Sequence, residues 1–213
     1  MNPLLEVRLE NLRETLDELS QAVDGNLRSV LMRLTCDKSM RAEASFISID
    51  PLARMARERC LLLIAREHPL ASDLKFVMAV IRVSHDYERI QELAMALNKR
   101  IERLLGTPVQ EVLQDMTGVM ADMLDMHEVV CRTWQRDRQD LSLPDLKLKV
   151  DAMAAAIFLR LKSIQTEIMK AIGRGGSSAE TFVEVVLACR HVKRIATTME
   201  AIPDDLHAFD KSH

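Results

Sequence analysis

Residues that break helices are scarce in this chain of 213 residues, and they gather at a few places. These are Thr35 to Ser39, His68-Pro69, Gly106-Thr107-Pro108, Leu141 to Pro144 and the run Gly173 to Ser178. The long stretches between them predict six helices, over residues 4–34, 40–67, 70–105, 108–139, 144–172 and 178–209. Pro51 and Pro203 fall inside the second and sixth. They are expected to kink or interrupt them, because proline lacks a backbone donor and clashes with the preceding turn. At about 1.5 Å per residue the longest helices are rods of about 45 to 54 Å, and rods joined by short loops must pack antiparallel.

Composition supports helices nearly throughout. Aliphatic residues and 13 methionines carry the apolar content, aromatics are 3%, and glycine and proline number six each, a mixture poor in strand formers. Basic and acidic residues, 29 and 32, are scattered along the whole chain and leave a net charge of −3. No strong single-sign field results, which disfavours a nucleic-acid partner. Cys36, Cys60, Cys131 and Cys189 are widely separated and form no CxxC pair, so neither a disulfide framework nor a thiolate zinc site is expected. The longest apolar runs, Cys60 to Ala65 and Ala152 to Leu159, fall far short of the roughly 20 residues that span a bilayer. The first residues, Met1-Asn2-Pro3 and then an early acid, do not resemble a signal peptide. The expectation is a cytoplasmic protein with no direct membrane insertion.

The two halves resemble each other. Val83-Ser84-His85-Asp86-Tyr87-Glu88-Arg89-Ile90 aligns with Ala188-Cys189-Arg190-His191-Val192-Lys193-Arg194-Ile195 at an offset of 105 residues, and Ile49-Asp50 aligns with Val150-Asp151 at 101. With Gly106-Thr107-Pro108 near the midpoint, the chain divides into repeats over residues 1–106 and 107–213. The expected fold is all-α, with six long helices forming two tandem, pseudo-symmetric three-helix bundles.

The third helix carries the strongest signal. Phe76, Val80, Val83, Tyr87, Ile90, Ala94, Leu97 and Ile101 form one helical stripe, the expected core face. Lys75, Arg82, Asp86, Arg89 and Arg100 line a side read as solvated. A further flank mixes Leu74, Val77, Ile81 and Met95 with His85, Glu88 and Glu92, and its apolar residues predict a second packed surface. Glu88 and Glu92 are one turn apart and repel each other unless something positive intervenes. A cation would satisfy them, as would a basic residue from a neighbouring helix, and the spacing alone does not choose.

The residues Leu62-Leu63-Ile64-Ala65-Arg66-Glu67-His68-Pro69-Leu70-Ala71-Ser72-Asp73-Leu74-Lys75, followed by Asp86-Tyr87-Glu88-Arg89-Ile90-Gln91-Glu92-Leu93-Ala94, resemble the signature of the PhoU family. That signature reads LIAxxxPxAxDLR leading into DLERIGDxA, and Ile49-Asp50 matches the family's ID pair. The same residues also work as a helix start, with Pro69 at its head and Ser72 or Asp73 in its first turn. The resemblance implies a PhoU-like two-repeat fold and a cytoplasmic negative regulator of phosphate uptake. Such a regulator acts without catalysis as an adaptor between a phosphate ABC transporter, through its ATPase component, and a sensor histidine kinase, and it forms a homodimer.

The resemblance further implies iron or zinc held by paired ExxxD motifs. Carried over, the first-repeat motif falls on Glu88 and Glu92, with Asp50 as a further ligand, and metal is expected at the first repeat only. Glu92 stands where the family has Asp and Gln91 where it has Gly. In the second repeat Lys193 and Thr197 replace the two acids, and a protonated lysine repels a cation. Phe46 and Lys147 stand where a carboxylate usually precedes Asp50 and Asp151. The expected partner-binding residues are Ile81, His85, Glu88 and Glu92.

No catalytic residue is expected. The chain has no GxSxG, HExxH or GxxxxGK[ST] pattern, and the Gly173 to Ser178 run lacks a phosphate-cradling lysine. Two further readings stand beside the regulator. One is an iron or zinc carboxylate protein, for which the expected Glu-x-x-His motifs are missing because His127-Glu128 runs in the reverse order. The other is a divergent PhoU-like module with different partners.

Overall fold

The computed structural model describes residues 3–35, 46–135, 141–173 and 178–207. Six helices carry almost all of them: α1 (Pro3–Thr35), α2 (Asp50–Glu67), α3 (Ala71–Leu104), α4 (Gln110–Cys131), α5 (Leu143–Gly173) and α6 (Ala179–His207). No strand occurs among the described residues. The expected helices are all present, with two corrections at their ends.

The second helix starts at Asp50 rather than at 40, and residues 46–49 run in without helical structure. Residues 40–45 lie outside the described ones. Pro51 does not kink this helix but occupies its first turn, where the missing donor costs nothing and the preset φ suits the helix. The fourth helix ends at Cys131, and the chain turns through Arg132 to Trp134, while 136–139 lie outside the described residues. Pro203 sits within α6 without ending it. At the end of α2, His68 adopts a left-handed conformation (φ 44°, ψ 57°) that closes the helix ahead of Pro69. Gly106, at φ 89°, reverses the chain between α3 and α4.

Local chemistry accounts for two of the helix starts. Ser142 Oγ accepts the Asp145 N–H while the Asp145 carboxylate accepts the Ser142 N–H, a reciprocal cap at the head of α5. Ser178 Oγ likewise accepts the Thr181 N–H at the head of α6.

The helices pack as two groups of three. Among the described residues, α2 touches only α1 and α3, and α5 touches only α4 and α6. The two groups meet where α1 lies against α4 and α3 against α6, so each inner helix faces its own counterpart in the other half. Both pairings are antiparallel. Arg82 reaches Asp205 while Arg100 reaches Glu184, and Trp134 reaches Asp17 while His127 approaches Asp24. One continuous hydrophobic core runs through all six helices.

The repeat is visible in burial. Val80, Val83, Ser84, Tyr87, Ile90, Gln91, Ala94, Leu97 and Ile101 are buried on α3; displaced by 105, Val185, Ala188, Cys189, Val192, Ile195, Ala196, Met199, Ile202 and Leu206 are buried on α6. The expected core stripe of α3 is buried throughout except for Phe76, which is half-buried under Arg13.

The outer faces of α3 are reversed relative to expectation. The side carrying Arg82, Asp86 and Arg100, read as solvated, is the one that meets α6. Long arginine stems cover apolar surface there while their heads reach Asp205 and Glu184 at the rim. The flank read as packed is mostly open: Leu74 is 37% and Met95 40% exposed, His85 and Glu92 are exposed, Ile81 is half-buried, and only Val77 is fully buried. A charged residue paired across a helix–helix seam is indistinguishable in sequence from a solvated one, which accounts for the difference.

A small polar network fixes the entry to α2. Ile47 N–H donates to Asn26 Oδ1 (2.9 Å), Asn26 Nδ2 donates to the Ile47 carbonyl (3.0 Å), and Ile49 N–H donates to Gln91 Oε1 (2.8 Å). Asn26 and Gln91 are buried, and a buried amide left without a partner is costly. Gln91→Leu keeps much of the volume but orphans the Ile49 N–H. It is expected to cost about 1–3 kcal/mol in chemical denaturation, against a near-neutral result if the segment is held by packing alone.

Candidate functional site

The acidic pair of α3 is met by a cation from its own bundle. Arg57, one side chain from the inner face of α2, grips Glu88 bidentately, Nη1 to Oε2 at 2.8 Å and Nη2 to Oε1 at 2.9 Å. Both side chains are 23% exposed. His85 adds a ring nitrogen 3.2 Å from Glu88 Oε2 and is itself open to solvent. Glu92 and Asp50 are exposed. The repulsion between Glu88 and Glu92 is thus relieved by a guanidinium.

That arrangement does not fit iron or zinc. Both oxygens of Glu88 are engaged by Arg57, and among the described residues no three His, Cys, Asp or Glu side chains converge in a metal-holding group. A site of that kind needs several converging donors.

The second repeat uses different chemistry at the matching places. Displaced by the repeat offsets, Arg57 corresponds to Phe158 and Glu88 to Lys193, and these two also meet: Lys193 Nζ lies 5.4 Å from the centre of the Phe158 ring. An ion pair in one half is replaced by a cation over an aromatic face in the other. Lys147 turns to Asp151 and to Asp204 (3.1 Å). Burial opposes its charge, but the two carboxylates outweigh that and raise its pKa above the ordinary lysine value. Lys193 and Thr197 line a groove of about 480 Å³ between α3 and α6, together with Asp86, Arg89, Arg190 and Arg194. Burial pushes the Asp86 carboxyl up to about 6, helped by Asp205 and opposed by Arg89 and His85.

A third polar group was missed in the sequence. Along the α1–α4 seam, Trp134 Nε1 donates to Asp17 Oδ1 (2.8 Å), Cys131 Sγ lies 3.7 Å from His127 Nε2 and 4.0 Å from the Tyr87 hydroxyl, and His127 Nδ1 lies 3.9 Å from Asp24. Tyr87 meets both the His127 and Trp134 rings edge-on. The i, i+4 spacing of His127 and Cys131 on α4 was the available signal.

Cysteine, histidine and aspartate in a row suggest a nucleophile, but their electrostatics oppose one. Burial pushes the Cys131 thiol up to about 12 and His127 down to about 4. A thiolate–imidazolium pair needs both shifts in the opposite direction. Cys60 and Cys189 are likewise pushed by burial up to about 12. The seam is a partly buried polar network that joins the halves.

Comparison with known proteins places the chain among relatives. The family model described as "PhoU domain" matches residues 47–101, which cover the entry to α2, all of α2 and most of α3. A phosphate-specific transport system accessory protein PhoU homolog 1 from Thermotoga maritima is 23% identical over 150 residues, covering 69% of this chain and 62% of that one. The protein of the same description from Methanothermobacter thermautotrophicus is 30% identical over 132 residues, 58% of each chain. The match thus spans less than two thirds of these relatives' length. The crystal structure of PhoU from Pseudomonas aeruginosa superposes with a TM-score of 0.82 over 98% of this chain and 99% of that chain, at 19% identity, and so shares its fold.

Two outcomes follow from this geometry. Arg57→Ala is expected to destabilise by about 1–2 kcal/mol, since the pair is bidentate and partly buried; a double-mutant cycle with Glu88→Gln should assign about 1 kcal/mol of that to the pair. His127 gives a pH dependence of known sign. The unfolded chain takes the imidazole proton below about 6.5 and the folded one only near 4, so stability is full above pH 6.5 and falls as pH drops from 6.5 to 4. The loss is roughly 3 kcal/mol. Asp86 acts oppositely between about 4 and 6, because its folded pKa is raised. The check is therefore a comparison with His127→Gln, whose melting temperature should drop less between pH 7 and 4.5.

Proposed function

We propose that the chain is a member of the PhoU family and, as such, a non-catalytic regulator of phosphate uptake. It works in the cytoplasm as an adaptor between the ATPase component of a phosphate ABC transporter and a sensor histidine kinase. The observation that carries this reading is the match of the PhoU domain to α2 and α3, together with relatives described as accessory proteins of phosphate-specific transport systems. The fold supports it from a second direction. No helix among the described residues is long and apolar enough to cross a membrane, and the Cys131–His127 pair is poorly suited to nucleophilic chemistry because burial favours the neutral form of both groups.

The docking face in this reading is the open flank of α3. Ile81, His85 and Glu92 lie there with the apolar tops of Leu74, Met78 and Met95, each between 37% and 41% exposed. Glu88, held by Arg57, sits at its edge. A flank of mixed apolar and acidic character suits a protein partner. A second copy of the chain completes the assembly as a homodimer.

The test is co-purification of the folded chain with the transporter ATPase and with the sensor kinase. Capture of either, lost on Ile81→Asp or Glu92→Lys, supports the adaptor. Binding to neither, by protein with an intact helical spectrum, rejects it. Metal analysis of protein purified without chelator separates the alternative: stoichiometric iron or zinc at Glu88, Glu92 and Asp50 would favour a carboxylate metal protein, at the expense of the Arg57 contact.

A further inference from the structure

The groove between α3 and α6 gathers positive charge that the protein leaves unmatched. Arg89 enters from α3, and Arg190, Lys193 and Arg194 enter from α6, all four exposed. None of the four makes an ion pair among the described residues, whereas Arg82, Arg100 and Arg103 on the same seam are each paired to a carboxylate. Arg190 and Arg194 are spaced i, i+4, and Arg190 and Lys193 i, i+3, so the three sit together on one helix surface and repel. A single carboxylate, Asp86, faces them, and its own burial pushes it up to about 6.

The positive potential is felt by a neighbour outside the groove. His191 is half-buried and is held below the ordinary histidine value by burial, then by Arg100, Arg194 and Arg190. Four cations against one carboxylate form a local field unlike the rest of this mildly acidic chain.

We propose that this groove is a binding site for the phosphoryl oxygens of a small anion, of which inorganic phosphate and pyrophosphate are the simplest. Guanidinium forks match the oxygens of a tetrahedral anion bidentately, and the exposed Thr197 hydroxyl is a further donor at the groove wall. Lys193, seated over the Phe158 ring, keeps its ammonium hydrogens free for an anion while the ring fixes where they are. Thr198 does not take part, because its hydroxyl is donated to the Arg194 carbonyl. A volume of about 480 Å³ lies in the range of small-molecule sites and exceeds what one phosphate fills, so a second phosphoryl group has room. Asp86 opposes the ligand's charge and sets an upper limit on its affinity.

The site is independent of the proposed protein partners, and its test uses the isolated full-length chain. Inorganic phosphate and pyrophosphate are titrated calorimetrically at low ionic strength. Expected is saturable binding of at least one of them, tighter for pyrophosphate and weakening with added salt. Arg194→Gln and Lys193→Gln should each weaken it about tenfold, Asp86→Asn should tighten it several-fold, and Arg54→Gln on α2, which does not touch α6, should leave it unchanged. All substituted positions but Asp86 are exposed, and thermal melts confirm that the variants are folded. Changes in opposite directions at Lys193 and Asp86 distinguish a charge-selective site from general destabilisation. Absence of saturable binding for both anions, equal affinities in wild type and the groove variants, or saturation by anionic vesicles or an acidic peptide alone would each overturn the proposal.

Discussion

The pairing of each inner helix with its own counterpart governs everything else in this molecule. α3 lies antiparallel on α6 and α1 on α4, so both bundles complete their cores only in each other's presence. A three-helix bundle that buried its apolar surface alone would offer no apolar seam to a second one. Here the buried positions of α3 are wide enough in angle to meet α1, α2 and α6 together. The halves are therefore one cooperative core, with charged rims where Arg82, Arg100 and Arg103 reach across.

Pseudo-symmetry then separates what the two halves can do. The same two positions hold Arg57 with Glu88 in the first repeat and Phe158 with Lys193 in the second. Geometry is conserved between halves while the charge changes sign. In the first, a carboxylate is neutralised from within; in the second, a cation rests on a ring and remains available at the head of a basic groove. The seam between α1 and α4 contributes a different property, since its buried His127 and Tyr87 and half-buried Cys131 link the halves through groups whose ionisation is suppressed by burial.

Much of the fold was legible because long periodic segments and sparse breakers leave little choice. The core stripe from Val80 to Ile101, the break at Gly106 and the offset of 105 residues all carried into the structure. The candidate site was less legible, for reasons that concern partners rather than types. Glu88 was visible as an acid, but its cation, Arg57, lies 31 residues away and has no local pattern. Gln91 was readable only as a departure from a family motif, yet it anchors the Ile49 backbone. The polar rim of α3 reads as solvated in sequence because the partner of Arg82, Asp205, lies 123 residues along the chain. Periodicity reports which face is greasy; it does not report which polar face is covered.

The outer positions of α2 and α5 have a consequence for how the molecule comes apart. Each leans on two helices of its own half and on nothing across the seam. Either can therefore lift away while the four inner helices stay locked, as slats leave a frame. For α2 the uncovered strip would consist of Ala53, Ala56, Cys60 and Leu63, of which only Leu63 is a large side chain, so little area is relinquished when they leave. Opening should thus proceed from the periphery inward, with backbone amides of α2 exchanging their hydrogens before those of α3 or α6.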